Sequence, residues 1–194
     1  MNRVEDQTRE KIILSALTLF SERGIRKTSV NEVAHHAGVT RVTVYRYFPE
    51  KKTLAREAFL RVEQVFQDGL TDLKQNPKAD WGSVLNQIGE GLSALPRDDA
   101  FARFDELKRL YPDVYKSIQE VRVVTLNGIC EHLSTMAKRQ GLLRPGLNRP
   151  VVQAVFWELV VNFFDNPRFK SLGLSDAELY HTMTDILLHG ILRT

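Results

Sequence analysis

Two short segments of helical periodicity, joined by four residues, constrain the fold of this chain more than any other feature. The first follows Ser29, and Glu32 three residues later completes the pattern of an N-terminal capping box. The second runs over residues 41–48 and follows Thr40, which is also an N-cap candidate. Gly38 lies between the two segments and permits a sharp turn. The pattern predicts a helix-turn-helix.

Helical periodicity also dominates the rest of the chain. A first helix is predicted over residues 8–23, ending at Gly24. In the helix over 41–48, Val44 and Phe48 should face inward, with Val42 nearby. No strand alternation bounded by hairpin turns occurs. The sequence therefore predicts an all-α fold of about nine helices, the others over residues 50–75, 81–95, 98–110, 113–140, 149–166 and 176–192, with an interval without a helix before the last.

Positive charge is concentrated near the two short helices. Residues 23–52 contain seven Lys or Arg and two Glu, whereas residues 61–194 contain sixteen basic and seventeen acidic residues. A basic segment on a near-neutral body suggests a polyanionic partner. The lone Cys130 cannot form an internal disulfide, and no apolar run reaches the roughly 18–20 residues of a membrane span. We therefore expect a cytoplasmic protein.

A helix-turn-helix that docks on DNA places its second helix in the major groove, with the N-terminal residues facing the bases. Arginine can bind guanine, and threonine can bond a base or meet a thymine methyl group. Tyrosine and lysine suit phosphate or sugar contacts. Free N–H groups at helix N-termini can also bind phosphate. The predicted DNA-binding residues are Ser29, Thr40, Arg41, Thr43, Tyr45, Tyr47 and Lys51.

The stretch from Thr8 to Leu60 resembles the DNA-binding domain of the TetR family of bacterial transcriptional regulators. The family often has a small residue, frequently glycine, where this chain has Val42; this departure concerns base preference and not the fold. Residues 61–194 match only in size and helical organisation. The positions that carry the resemblance are Ser29, Val33-Ala34, Ala37-Gly38-Val39-Thr40, Tyr45-x-x-Phe48, Lys51 and Leu54.

The resemblance implies a homodimer on a palindromic operator, controlled by a small molecule. It divides the chain into a DNA-binding domain, residues 1–52, and an effector-binding and dimerisation domain, residues 53–194. In such proteins the last two long helices, here about 149–166 and 176–192, pair as a four-helix bundle. The segment 149–164 is apolar on nearly every side, so it independently requires burial on every side. We expect a repressor that an effector releases from its operator.

An effector cavity is expected in the helical body if the resemblance extends to it. An aromatic and aliphatic lining would favour an apolar or amphipathic effector, although every candidate residue also suits packed core. Asn127 and Asn162 stand out because each lies in an apolar neighbourhood, where a buried amide needs partners. The candidates are Trp81, Phe101, Phe104, Leu107, Tyr111, Tyr115, Asn127, Trp157 and Asn162.

Other classes of function remain open. An activator, or a DNA-binding protein without an effector, would have the same DNA-binding segment. A helical enzyme or an interaction module is a further alternative, but the chain has no HExxH motif, no Cys/His cluster and no glycine-rich phosphate loop. We therefore expect no catalysis, no cofactor and no metal. Cys130, in mid-helix, is expected to be a small hydrophobic residue rather than a redox sensor.

Overall fold

The computed structural model describes residues 3–76, 81–94, 103–139, 141, 144, 146–148, 150–152, 154, 155, 158, 166–174 and 176–191. These residues contain nine helices with defined bounds and no strand, so the all-α prediction is confirmed over the described ranges. The helices are α1 (Arg3–Arg23), α2 (Val30–His36), α3 (Arg41–Tyr47), α4 (Lys51–Gln75), α5 (Trp81–Ser93), α6 (Phe104–Leu110), α7 (Pro112–Arg139), α8 (Pro167–Lys170) and α9 (Asp176–Ile191).

Most predicted boundaries agree with the structure to within a few residues. Helix α1 begins at Arg3, five residues before its predicted start. Helix α6 begins at Phe104, whereas the prediction began at residue 98, and residues 98–102 lie outside the described residues. Two further regions differ. The interval predicted before the last helix contains the single turn α8, so that prediction is wrong. A four-residue helix is too short to show a periodic pattern. The helix predicted over 149–166 lies largely outside the described residues, although residues 150–152, 154, 155 and 158 are helical.

Residues 1–63 and 95–119 form one compact unit. Phe20 of α1, Val44 of α3 and Phe59 of α4 are fully buried in it. Phe104 of α6 is also buried, and its ring meets that of Phe59 edge-on at a centroid distance of 5.0 Å. Burial of this many apolar side chains holds the short helices α2 and α3, which would be marginal in isolation, against α1 and α4.

Two side chains of the α6 segment complete the end of α1. Helix α1 stops at Gly24, whose φ of 89° is in the left-handed region that favours glycine. Glu106 accepts hydrogen bonds from the backbone N–H groups of Ile25 (2.8 Å) and Arg26 (3.0 Å). Arg103 donates to the carbonyl oxygens of Ser21 (2.9 Å) and Glu22 (3.3 Å). The turn after α1 therefore depends on side chains about eighty residues further along the chain.

Residues 64–94 and 120–194 form the second compact unit, in which α5 packs against α9. Glycines allow α4 and α5 to approach closely. A Cβ at Gly69 of α4 would lie 2.7 Å from Ile88, and a Cβ at Gly91 of α5 would lie 2.6 Å from Val65. Each helix thus offers a glycine to a branched side chain of the other. No described helix is long and apolar enough to cross a membrane.

Replacing Glu106 with alanine should destabilise the first unit. Glu106→Ala leaves two N–H groups at the end of α1 without their acceptor, one of them on the buried Ile25. We expect the free energy of unfolding to fall by about 1–3 kcal/mol, measured by urea denaturation. The control is Glu120→Ala, an exposed carboxylate of α7, which should change it by less than about 0.5 kcal/mol. Equal losses in the two variants would contradict the role given to Glu106.

Candidate DNA-binding interface

Helix α3 has one buried face and one exposed face. Val44 is fully buried and Phe48, at the C-cap, nearly so, as predicted. Val42 is 78% exposed, so the prediction that it lies near the inward-facing pair is wrong. Residues two apart on a helix diverge by about 200°. Val42 and Val44 therefore lie on opposite faces although both are apolar.

Both predicted N-caps are present, and each hydroxyl is engaged in its cap. The Glu32 N–H donates to Ser29 Oγ (3.2 Å), and the Ser29 N–H donates to the Glu32 carboxylate (2.7 Å), which confirms the capping box. The Thr43 N–H donates to Thr40 Oγ1 (3.1 Å). The hydroxyls of Thr40 and Thr43 also share a hydrogen bond of 2.9 Å. Both helices of the motif thus begin at fixed residues.

The arginines of α3 lie against tyrosine rings. The guanidinium carbon of Arg41 is 5.3 Å from the ring centroid of Tyr45, and its Nη2 is 3.4 Å from the Tyr45 hydroxyl. The guanidinium carbon of Arg46 is 5.1 Å from the ring centroid of Tyr47, and its Nη2 is 3.4 Å from the Tyr47 hydroxyl. Cation–π contacts of this kind restrict the freedom of exposed guanidinium groups. Arg46 is absent from the predicted set, although its spacing of four from Val42 places it on the same outward face.

Ion pairs reduce the free positive charge of the basic segment. Arg23 pairs with Glu32 at 3.1 Å, and Lys52 pairs with Asp113 at 2.6 Å. The Lys52 pair raises the pKa of the lysine and lowers that of Asp113.

Four other basic residues of the segment are exposed: Arg26, Lys27, Arg41 and Arg46. Burial lowers the pKa of the seventh, the half-buried Lys51, and the nearby charges of Glu106 and Glu32 oppose that effect. The segment thus keeps a positive surface centred on α3 and on residues 26–27, although two of its cations are paired.

The predicted effector-binding residues do not come together in one described cavity. Phe104 and Leu107 are fully buried core, and Tyr111 and Tyr115 are half-buried. Asn127 is exposed, so the expectation of a buried amide is wrong: its sequence neighbours are apolar, but the helix turns it outward. Phe101, Trp157 and Asn162 lie outside the described residues, as does the side chain of Trp81.

Described residues of the second unit line two pockets, and neither lining includes any of the nine predicted residues. The first, of about 260 Å³, lies between the C-terminal parts of α4 and α7 and is lined by Leu73, Lys74, Glu131, His132, Thr135, Met136 and Arg139. The second, of about 250 Å³, is lined by Phe169, Leu172, Leu174, Leu179, Thr182, Met183 and Ile186. The first combines apolar and charged groups, and the second is almost wholly apolar.

Burial raises the pKa of the Cys130 thiol to about 12. The thiol is therefore protonated at neutral pH, which disfavours reaction with oxidants. This agrees with the expectation of a small hydrophobic residue. Among the residues that the structure describes, no group of three or more His, Cys, Asp or Glu side chains is placed to hold a metal ion.

The α2–α3 pair, joined through Gly38 at a φ of 66°, defines a helix-turn-helix protein. Comparison with known proteins narrows the class. The model of the family described as bacterial regulatory proteins, tetR family, matches residues 12–58. Over 82 residues the chain is 45% identical to the HTH-type transcriptional regulator AcrR of Shigella flexneri. This aligned segment covers 42% of this chain and 38% of AcrR. Residues 12–58 therefore have the sequence pattern of the tetR family.

Solved structures share the fold. A crystal structure from Mesorhizobium loti, assigned to TetR-family transcriptional regulators, has a TM-score of 0.67 at 20% identity and covers 100% of both chains. A protein from Saccharomonospora viridis, described as a transcriptional regulator in complex with choline, has a TM-score of 0.63 at 20% identity, covering 97% of this chain and 100% of that one. The chain spans less than half the length of the curated relatives it matches.

Proposed function

We propose that this protein is a sequence-specific, DNA-binding transcriptional regulator, a repressor that a small molecule releases from its operator. The observation that carries the proposal is α3, an N-capped helix that buries Val44 and presents Arg41 and Tyr45 outward, within the segment that matches the tetR family model. DNA binding belongs to residues 1–52, and effector binding and dimerisation to residues 53–194. The protein works in the cytoplasm and is not an enzyme.

The residues of the interface divide into readout and positioning. Arg41 and Thr43, in the first turn of α3, contact base edges. Tyr45, Tyr47 and Lys51 contact phosphate or sugar.

The position of Lys51 supports its phosphate contact. Helix α4 begins with two lysines, although the helix dipole disfavours positive charge at an N-terminus. Asp113 offsets Lys52, and a DNA phosphate offsets Lys51. The first turns of the helices that follow Ser29 and Thr40 add backbone N–H groups directed at phosphate.

A second copy of the chain covers the apolar groove formed by α8, α9 and the turn between them. Leu172 is 58% exposed and Ile186 is 62% exposed, and Leu174 lies beside them in the same groove. Exposed apolar side chains grouped in this way mark an interaction site. The groove lies on one of the two helices, about 149–166 and 176–192, that the resemblance assigns to the dimer interface. A two-fold dimer would present two copies of α3 to a palindromic operator.

The pocket between α4 and α7 is our candidate effector site. Its lining combines Leu73 and Met136 with charged residues at the rim. An amphipathic molecule matches such a lining, which supports the ligand-dependent repressor over the ligand-independent alternative. Release from DNA requires that the effector bind the DNA-incompetent arrangement more tightly. Whether the protein represses or activates a gene also depends on where the operator lies.

Substitutions at Arg41 and Lys51 should separate readout from phosphate contact. Arg41→Ala is expected to lose about 1–3 kcal/mol of binding free energy at its base pair and to relax selectivity there. Lys51→Ala should weaken binding to all sequences and reduce the salt slope by about two units per dimer. Fluorescence anisotropy on duplexes selected by the wild-type protein, across a salt series, measures both.

The control for this experiment is Lys138→Ala, which removes an exposed cation from the other compact unit. It should leave both the selectivity and the salt slope unchanged. If wild-type protein selects no preferred sequence from random duplexes, the regulator proposal fails.

A charge placed in the apolar groove should dissociate the dimer. Ile186→Glu puts a carboxylate on an exposed position, so the fold should tolerate it while the apolar contact with a second copy does not. Sedimentation velocity should show a shift from dimer to monomer. Val124→Glu, at a position on α7 that is 70% exposed, is the matched control and should remain dimeric. Dissociation by Val124→Glu alone would place the interface on α7 instead.

Effector and operator should bind in competition. Choline, the ligand in one similar structure, and a panel of amphipathic molecules are titrated into the free and the operator-bound protein by calorimetry. We expect an effector to bind the free protein at least about fivefold more tightly. Thr135→Trp should block the pocket, whereas Val124→Trp, at an exposed position of α7 outside the pocket lining, should not. Equal affinity for free and DNA-bound protein would contradict release by the effector.

A further inference from the structure

Val42 is the most exposed of the large hydrophobic side chains that the structure describes, at 78%. It occupies the second position of α3, between Arg41 and Thr43. A β-branched residue has a lower helix propensity than an unbranched one. An exposed apolar side chain is also unfavourable in water. Val42 is not part of the buried core, so a contribution to stability does not explain a valine at this position.

The geometry of α3 places Val42 at the centre of the outward face. At about 100° per residue, Val42 and Arg46 lie roughly opposite the buried Val44. Arg41 and Tyr45 occupy one flank, and Thr43 the other. If the outward face of α3 enters the major groove, the side chain at this central position approaches the base edges most directly.

The polar neighbours of Val42 are already engaged, whereas Val42 has no polar group to engage. Arg41 lies on the Tyr45 ring, and Thr43 shares a hydrogen bond with Thr40. A side chain with two methyl groups and no donor or acceptor cannot pair with the oxygen or nitrogen atoms of a base edge. The one apolar group in the major groove is the C5-methyl of thymine.

We propose that Val42 reads the methyl group of a thymine in each half-site of the operator. This inference rests on the proposed function, because it requires that α3 occupy the major groove. Contact between the valine and the thymine methyl removes both apolar groups from water, which favours binding. Val42 is thus a specificity-determining residue that discriminates thymine from cytosine and from both purines at one position.

Removal of the methyl group alone tests the inference. Wild-type protein first selects its operator from random duplexes, and each thymine of a half-site is then replaced by deoxyuridine, which lacks only the methyl. Affinities are measured for wild type, Val42→Ala and Val124→Ala. The last variant shortens a similarly exposed valine on α7, 70% against 78%, as the matched control. Alanine favours the helix more than valine does, so Val42→Ala should fold.

We expect one thymine per half-site at which loss of the methyl weakens wild-type binding roughly fourfold, the value of one buried methyl-sized group. Val42→Ala alters both subunits of the dimer, so its binding to the thymine operator should be weakened by the square of that factor, roughly sixteenfold. The variant should be indifferent to the methyl at that position alone. Val124→Ala should respond to each replacement as wild type does.

Two results would overturn the inference and leave the proposed function intact. In one, Val42→Ala remains as sensitive as wild type to every deoxyuridine replacement. In the other, wild type binds selectively but is indifferent to all of them. Failure of the first selection step to return any preferred sequence would instead remove the proposed function, and the role of Val42 with it.

Discussion

The carboxylate of Glu106 closes the turn that leads from α1 to the two short helices α2 and α3. Its two oxygens accept the N–H groups of Ile25 and Arg26, while Arg103 binds the carbonyl oxygens at the end of α1. The Thr28 hydroxyl donates in the same turn, within reach of the carbonyl oxygens of Leu19 and Gly24. Backbone N–H and carbonyl groups therefore both find side-chain partners where the chain leaves α1. The turn that precedes α2 is thus held by Glu106 of α6, and α2 itself begins at the Ser29 cap.

Glu32 combines two tasks in a small space. Its carboxylate accepts the Ser29 N–H of the capping box and also pairs with Arg23. These hydrogen bonds, the cap first, lower its pKa. The carboxylate therefore favours the folded state above the ordinary carboxyl pKa and loses that effect as the pH falls through the lowered value. In a count of charges, Glu32 only lowers the net positive charge of this segment. In the structure, it caps α2 and so supports the basic surface.

Local features of this chain could be predicted from sequence, and long-range ones could not. Ser29 and Thr40 cap backbone N–H groups three residues away, so the sequence pattern alone predicts these caps. Glu106 binds a turn some eighty residues earlier in the chain, and no sequence spacing predicts such a contact. Val42 was misplaced because two apolar residues at i and i+2 fit a strand-like pattern but fall on opposite sides of a helix. Asn127 was misplaced because apolar neighbours in sequence do not imply an apolar surrounding.

Cys130 gives the molecule a built-in reporter of motion. The chain has a single cysteine, and burial keeps its thiol protonated at neutral pH. Alkylating reagents attack the thiolate, so the half-buried thiol is labelled slowly, and faster when this stretch of α7 opens to water. The labelling rate of the unaltered protein therefore reports the accessibility of one position on α7. Recording that rate with and without bound partners would show, without any engineered probe, whether events at a distant surface loosen or tighten the middle of α7.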